Sequence, residues 1–398
     1  MAKANDFRVL LVMAAAALAA ALLVLVAAGK PAQAAFPGLN GLIVFTSDRD
    51  STDEAVNDDI YAMNSDGSKT IRLTTDPAFD QFPALSPDGT EIAFQRFQSE
   101  STFFTTSEIY VMDIKDEDGD GNGDNLTQLT NNSAFDSGMG WSHDGARIAF
   151  TSNRPAADGT RDTEVYVMDA KDKVGDKGGD GNGDNLTQLT NNTRFDGQPV
   201  FSPDGTKIAF LSTRVGPDNL EGDFEIYVMN TDGSNQTNLT NNTLPDGNSP
   251  PNSRLAWSPD GTKIAFQRFQ DGNHEIYVMN ADGSNQTNLT NKPLENERYP
   301  TWSPDGTKIA FWKGGFSDSE IYVMDTDPDT NDVNDNNLTN NNDTEHPVGD
   351  IQPDWGTLTE EQCKDNMLTG DLTNRHYIFE ILGFASEDEC KSFVETGG

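Results

Sequence analysis

Trp302-Ser303-Pro304-Asp305-Gly306-Thr307-Lys308-Ile309-Ala310-Phe311, then Glu320-Ile321-Tyr322-Val323-Met324-Asp325, then Leu338-Thr339: this stretch decides how the chain folds. Ile-Ala-Phe and Ile-Tyr-Val-Met are β-branched and aromatic, too short for helices, and bounded by Gly, Pro, Asp and Asn, so they read as strands. Ser-Pro-Asp-Gly has the composition of a type I turn, with Pro presetting φ at the second position and Gly at the fourth. It joins the first strand of a unit to the second. An Asp-Gly pair, as in Ala281-Asp282-Gly283-Ser284 and its equivalents after Asn64 and Asn230, supplies the hairpin from third strand to fourth.

Working outward, the same four elements recur. The third-strand tyrosines are Tyr61, Tyr110, Tyr166, Tyr227, Tyr277 and Tyr322, and the second-strand phenylalanines are Phe45, Phe94, Phe150, Phe210, Phe266 and Phe311. The Leu-Thr pairs begin at Leu73, Leu129, Leu189, Leu239, Leu289 and Leu338. First strands end at Leu85, Trp141, Phe201, Trp257 and Trp302, with a truncated copy in Pro353-Asp354-Trp355-Gly356. A four-stranded antiparallel unit repeated in this way is a propeller blade; a solenoid would need helices or one-strand repeats. The chain enters at a second strand, Leu42 to Thr46, and leaves at an orphan first strand around Ile351 to Trp355. These halves complete each other. The expected fold is all-β, a six-bladed β-propeller with 3+1 strand closure of the first blade, which removes two exposed sheet edges.

Units of this kind resemble the bacterial WD-like β-propeller repeats of the TolB type, over about residues 40–356. The resemblance is to the propeller only; it does not extend to the α/β domain that precedes the propeller in the periplasmic protein of that type. It implies a rigid disc that presents loops.

Acidic residues outnumber basic ones 65 to 27, a formal charge of −38, which disfavours nucleic acid and anionic lipid surfaces as partners. Low hydrophobicity with high charge is the composition of disorder, but the regular placement of 22 Phe, 8 Tyr and 5 Trp argues for a folded chain. Residues 1–34 read as a signal peptide: Lys3 and Arg8, the apolar run Val9 to Ala28, then Ala32-Gln33-Ala34. An uncleaved anchor is the alternative. Export to the periplasm, cell surface or medium is expected, with no stable membrane insertion after cleavage and a monomeric propeller over residues 35–356.

The tail, residues 357–398, changes period. Thr359-Glu360-Glu361-Gln362 and Ser386-Glu387-Asp388-Glu389 read as capping boxes of short helices. A Cys363–Cys390 disulfide would staple it, worth roughly 3–4 kcal/mol in the chain-entropy model.

For chemistry, no Gly-x-Ser-x-Gly elbow occurs, and too little chain follows the repeats for a hydrolase domain. His143 sits beside Ser142 and Asp144 in one turn, where three neighbours cannot converge as a triad. Asp116, Asp118, Asp120, Asn122 and Asp124 place oxygens at alternate positions, a pattern for weak calcium binding, although Thr127 stands where a bidentate Glu would complete the set. Weaker copies run through Asp176, Asp180, Asn182 and Asp184, and through Asp325 to Asp335. No cofactor is required. The connections between second and third strands and between blades are long and varied, which is where binding resides on rigid scaffolds. Phe103, Phe104, Arg154, Arg161, Arg214, Phe224 and Trp312 are the candidate partner-binding residues. The expected function is an exported, non-enzymatic binding scaffold for a protein or carbohydrate. The alternative is a secreted lyase or hydrolase of an extracellular polymer with acidic residues on the propeller axis, for which Asp80, Asp136, Asp196, Asp246, Arg298 and His346 are the positions to inspect. Asp80, Asp136 and Asp196 recur at one repeat position and read as structural.

Overall fold

The computed structural model describes residues 39–51, 57–97, 106–115, 122–155, 162–171, 185–215, 222–240, 254–292, 295–315, 319–326, 336–340, 349–359 and 387–396. Within them lie six antiparallel four-stranded sheets. Blade 2 shows the pattern: Phe79–Leu85, Glu91–Phe97, Glu108–Asp113 and Thr127–Gln128, in chain order from the axis outward. Blades 3 to 6 repeat it from Asp136, Asp196, Leu255 and Glu297. Blade 1 is the composite one. Leu39–Ser47, Asp59–Met63 and Ile71–Arg72 come from the start of the repeats, and Asp350–Leu358 pairs antiparallel with Leu39–Ser47 as its innermost strand. Each first strand packs against that of the next blade, and the last against blade 1, so the ring closes. The expected 3+1 closure is what the structure has.

Why the repeat alternates bulk is visible in the core. Ile92 and Phe94 of blade 2 face back onto Val44 and Ala62 of blade 1, while Ala93 between them faces forward onto Trp141, Ile148 and Phe150 of blade 3. The small residue of Ile-Ala-Phe makes room for the next blade's bulky side chains, at Ala149, Ala209, Ala265 and Ala310 as well. Every sheet is thus buried on both faces, and the aromatic stripe is inter-blade packing. Truncating one such Phe to Ala would cost about 3–5 kcal/mol.

The turns carry their own fastening. In Ser86-Pro87-Asp88-Gly89, the Gly89 amide donates to the Ser86 carbonyl at 2.9 Å, the Ser86 hydroxyl donates to Asp88 at 2.7 Å, and Gly89 sits at φ +70°, open to glycine but strained for others. The turns at Ser142, Ser202, Ser258 and Ser303 repeat the Ser-to-Asp bond.

The Leu-Thr pair has a role that strand propensity does not reveal. The Thr190 hydroxyl accepts from the Val165 amide at 2.9 Å and donates to Glu164 at 2.5 Å, tying the short outer strand to the third. Thr240 and Thr290 do the same with Glu225 and Glu275, and Thr74 with Asp59 in blade 1. Burial pushes the carboxyls of Asp59, Glu108 and Glu164 up to about 7, against the hydrogen bonds that favour their ionised forms. In Asp88, Asp204, Asp260 and Asp305 partial burial is outweighed by the Ser and Thr bonds, and these turn carboxyls stay below their usual range.

The sign of the consequence follows. A carboxyl raised in the native state takes up its proton there first, so its contribution is fully present below the unfolded pKa and is lost as pH rises through about 7. The turn aspartates work oppositely, and their contribution is lost only below about pH 4. Thermal melts are expected to show a maximum between about pH 4 and 6, with Tm falling toward pH 8. A Tm that rises steadily from pH 5 to 8 would contradict this reading of the buried carboxyls.

A helix, Glu387–Thr396, lies in the tail and buries Cys390. Its expected partner Cys363 lies outside the described residues, as does the expected signal segment, residues 1–34. Among the described residues no helix is long and apolar enough to cross a membrane.

Candidate functional site

The axis of the ring is built by the first strands, and their opening residues come first. Asp80, Asp136, Asp196 and Asp350 are fully buried, and each is met by an arginine from the second strand, or just beyond it, in the same blade. Arg96 Nε lies 2.6 Å from Asp80, Arg154 Nη2 3.0 Å from Asp136 and Arg49 Nη2 2.8 Å from Asp350; Arg214 pairs with Asp196. Each guanidinium also lies over the Phe and Tyr of its own blade, as Arg154 does 5.1 Å from the Phe150 ring centroid and 5.0 Å from that of Tyr166. Arg268 stacks likewise in blade 5. The recurring Asp, Arg, Phe and Tyr form one spoke in each of blades 1 to 4. Cation–π contact and a hydrogen-bonded charge pair together compensate the desolvation of a buried Asp.

This arrangement places several of the expected partner residues inside the blades. Arg154 and Arg214 are spoke residues, with their charges spent on Asp136 and Asp196. Trp312 is buried against Tyr299, and Arg298 lies over its ring at 5.1 Å. Phe224 is half-buried and packs edge-on against Phe195, ring centroids 5.4 Å apart. Phe103, Phe104 and Arg161 lie outside the described residues, as do Asp246 and His346. Of the expected calcium ligands, Asp116, Asp118 and Asp120 also lie outside them. Asn122 is engaged with blade 1, its side-chain carbonyl accepting from the Thr75 amide at 2.7 Å and the Thr75 hydroxyl at 2.9 Å. Asp124 closes the hairpin through its backbone, with Asp113 donating to its carbonyl at 2.8 Å.

Further along the first strands, a bulge puts one residue per blade in the left-handed region: Phe82, Gly138, Gln198, Tyr299 and Gln352, at φ between +55° and +58°. Such bulges re-aim side chains. Gln352 uses its turn to accept from the Phe82 amide and the Thr46 hydroxyl, both at 2.9 Å. Blade 5 breaks the pattern. Among the described residues its first strand is Leu255–Trp257, and Arg254 stands before it at the position where the others carry the bulge. Two residues on, where the other blades have Ala84, Gly140, Val200, Ala256 and Thr301, blade 1 has Asp354.

These two exceptions meet at the axis. Arg254 Nη2 lies 3.2 Å from Asp354, and Arg254 Nη1 donates to the carbonyls of Pro83 at 3.3 Å and Pro353 at 3.4 Å. Asp354 accepts from the Leu85 amide at 2.8 Å and from the Thr301 hydroxyl at 3.3 Å. The closing strand is therefore tied through one carboxylate to blades 2, 5 and 6. Beside the pair is a cavity of about 90 Å³ lined by all six first strands. On the other side, a void of about 10 Å³ lies among Phe82, Gln198, Arg254 and Tyr299. Sequence reasoning missed both residues, although the signal is there: each is the one charged side chain in its column of the repeat.

His274 is a second departure of blade 5. The tight Asp271-Gly272 hairpin brings it under Phe269, ring centroids 5.1 Å apart, and burial followed by the charge of Arg298 pushes its imidazole down to about 4. It is neutral across the physiological range.

The comparisons agree with this geometry. Residues 247–358, the last two blades and the closing strand, match the family described as TolB beta propeller domain. A protein from Chlorobium luteolum named "Protein TolB homolog" is 30% identical over 174 residues, 44% of this chain and 32% of that protein. The chain thus spans about a third of the length of that relative. Among solved structures, TolB from Acinetobacter baumannii superposes with a TM-score of 0.57 at 19% identity, covering 80% of this chain and 67% of that one. The putative TolB from Agrobacterium tumefaciens gives 0.51 at 20% identity, over 78% and 89%. Six blades of one motif, with the TolB beta propeller domain matched in the last two, lead to one statement: the chain is a six-bladed β-propeller that is similar to TolB over part of its length.

Proposed function

We propose that this protein is an exported, non-enzymatic scaffold that binds a protein partner on the face bearing the connections between blades and between second and third strands. The observation that supports the reading most is the state of the spoke carboxylates. An enzyme working at the mouth of the axis needs carboxylates there that reach substrate, whereas Asp80, Asp136, Asp196 and Asp350 are sealed and charge-paired. The same face carries Val215 and Phe269, which expose apolar surface on blades 4 and 5. Phe103, Phe104 and Arg161 remain the proposed contacts from blades 2 and 3. Export rests on the charged start, apolar run and Ala-Gln-Ala site of the first 34 residues.

The test is affinity capture from envelope and culture fluid with the propeller immobilised, beside a Val215→Asp/Phe269→Asp variant. One dominant protein retained by the first bait and lost from the second is the expected result. Turnover of a polysaccharide or ester substrate by the purified chain, or capture indifferent to the two substitutions, would overturn the proposal.

A further inference from the structure

We propose that the axial cavity is a seat for one cationic side chain, a lysine or arginine of a basic partner segment, and that Arg254 fills this seat from within the chain. The inference rests on the binding-scaffold reading and gives a partner segment a chemistry at the ends of the first strands beside the Ser-Pro-Asp-Gly turns, away from the loop face. The oxygen atoms of the seat are fixed independently of Arg254. Asp354 is held by the Leu85 amide and the Thr301 hydroxyl from two other blades, and the carbonyls of Pro83 and Pro353 belong to inner strands. A carboxylate and two carbonyls converging on one point is a donor-binding site.

Arg254 occupies this site loosely. Its contacts run from 3.2 to 3.4 Å, at or beyond the long end of N–H···O bonds, where the spoke pair of Arg96 and Asp80 closes to 2.6 Å. The side chains of Arg254 and Asp354 keep 16% and 19% of their surface exposed, so solvent reaches the pair. The cavity beside them, about 90 Å³, has room for a guanidinium or ammonium head. A chain of charge −38 raises the local concentration of cationic segments around it. The resident arginine is thus a plug in cis, the one charged residue in its own column of the repeat, and a partner's basic residue displaces it in trans.

The test is chemical rescue. Arg254→Ala empties the seat, and the probe is N-acetyl-arginine amide, with N-acetyl-glutamine amide as the neutral control. The expected result is a saturable rise in Tm with the arginine probe, absent with the control, and an affinity weakened roughly tenfold or more when Asp354→Asn is added. Equal shifts with both probes, or an undiminished response in the double variant, overturns the proposal. If Arg254→Ala does not fold, Arg254→Lys serves. Its smaller head makes fewer contacts, so the arginine probe should bind it more tightly than it binds the unaltered chain; equal binding overturns the proposal. Failure of the seat leaves partner capture on the loop face untouched. A working seat with nothing captured sinks the scaffold reading and keeps the seat.

Discussion

Deletion of residues 350–398 is expected to unfold the ring as a whole, with a single cooperative transition shifted far down in temperature. The strand Asp350–Leu358 is the innermost strand of blade 1, and without it Leu39–Ser47 becomes an open edge. Trp355 and Leu358 leave the core, and losing the buried indole alone costs about 3–5 kcal/mol. Asp354 goes too, and with it the ties to Leu85, Thr301 and Arg254 in three other blades. Arg49 then loses Asp350. Together these exceed about 5 kcal/mol, a large part of the stability of an ordinary domain. A shorter truncation, removing residues 360–398, spares every one of these contacts and is the control. If the longer deletion melts where the control does, blade 1 is not completed from both ends.

The second large effect is expected at a spoke. Arg154→Met keeps the volume that packs on Phe150 and Tyr166 but leaves Asp136 buried without its counter-charge, holding only its bonds to Asn132 and Ser152. Breaking a buried pair from one side costs about 3–5 kcal/mol. Replacing both partners, as Arg154→Met with Asp136→Asn, removes the uncompensated charge and should recover a substantial part of that loss. Urea midpoints of the two single variants and the double variant measure this coupling. A single Arg154→Met variant within about 0.5 kcal/mol of the unaltered protein would instead be the behaviour of a surface residue, and would return Arg154 to the loop face.

How much of this is legible in the sequence depends on whether a residue's role repeats. Strands, turns, blade number and closure were all open to reading, because Ile-Ala-Phe, Glu-Ile-Tyr-Val-Met and Ser-Pro-Asp-Gly say the same thing in each blade and the first and last units are complementary fragments. The arginines are harder. Arg154 and Arg214 stand two residues past the last strand residue, Ser152 and Ser212, and so read as loop; their guanidinium groups reach back over the sheet to the aromatic pair. The regular distance from Phe45 to Arg49, Phe150 to Arg154 and Phe210 to Arg214 was the clue. Trp312 reads as a loop residue for the same reason, though it lies one residue past Phe311 in the same strand, where alternation turns it to the opposite face and onto Tyr299. Glu164 and Thr190 look like mere strand flanks until the fold brings the hydroxyl to the carboxylate. At the hub the repeat itself hides the site. Arg254 and Asp354 matter because they depart from their columns, and only the ring brings two columns so far apart in the chain to one point.

Native-state hydrogen exchange tests the closed ring most directly. Amides that pair Leu39–Ser47 with Asp350–Leu358 are predicted to exchange only through global unfolding, at the same free energy as the inner strands of blades 3 and 4. Exchange in the closing strand that is fast and independent of the other blades would contradict a ring fastened at this seam.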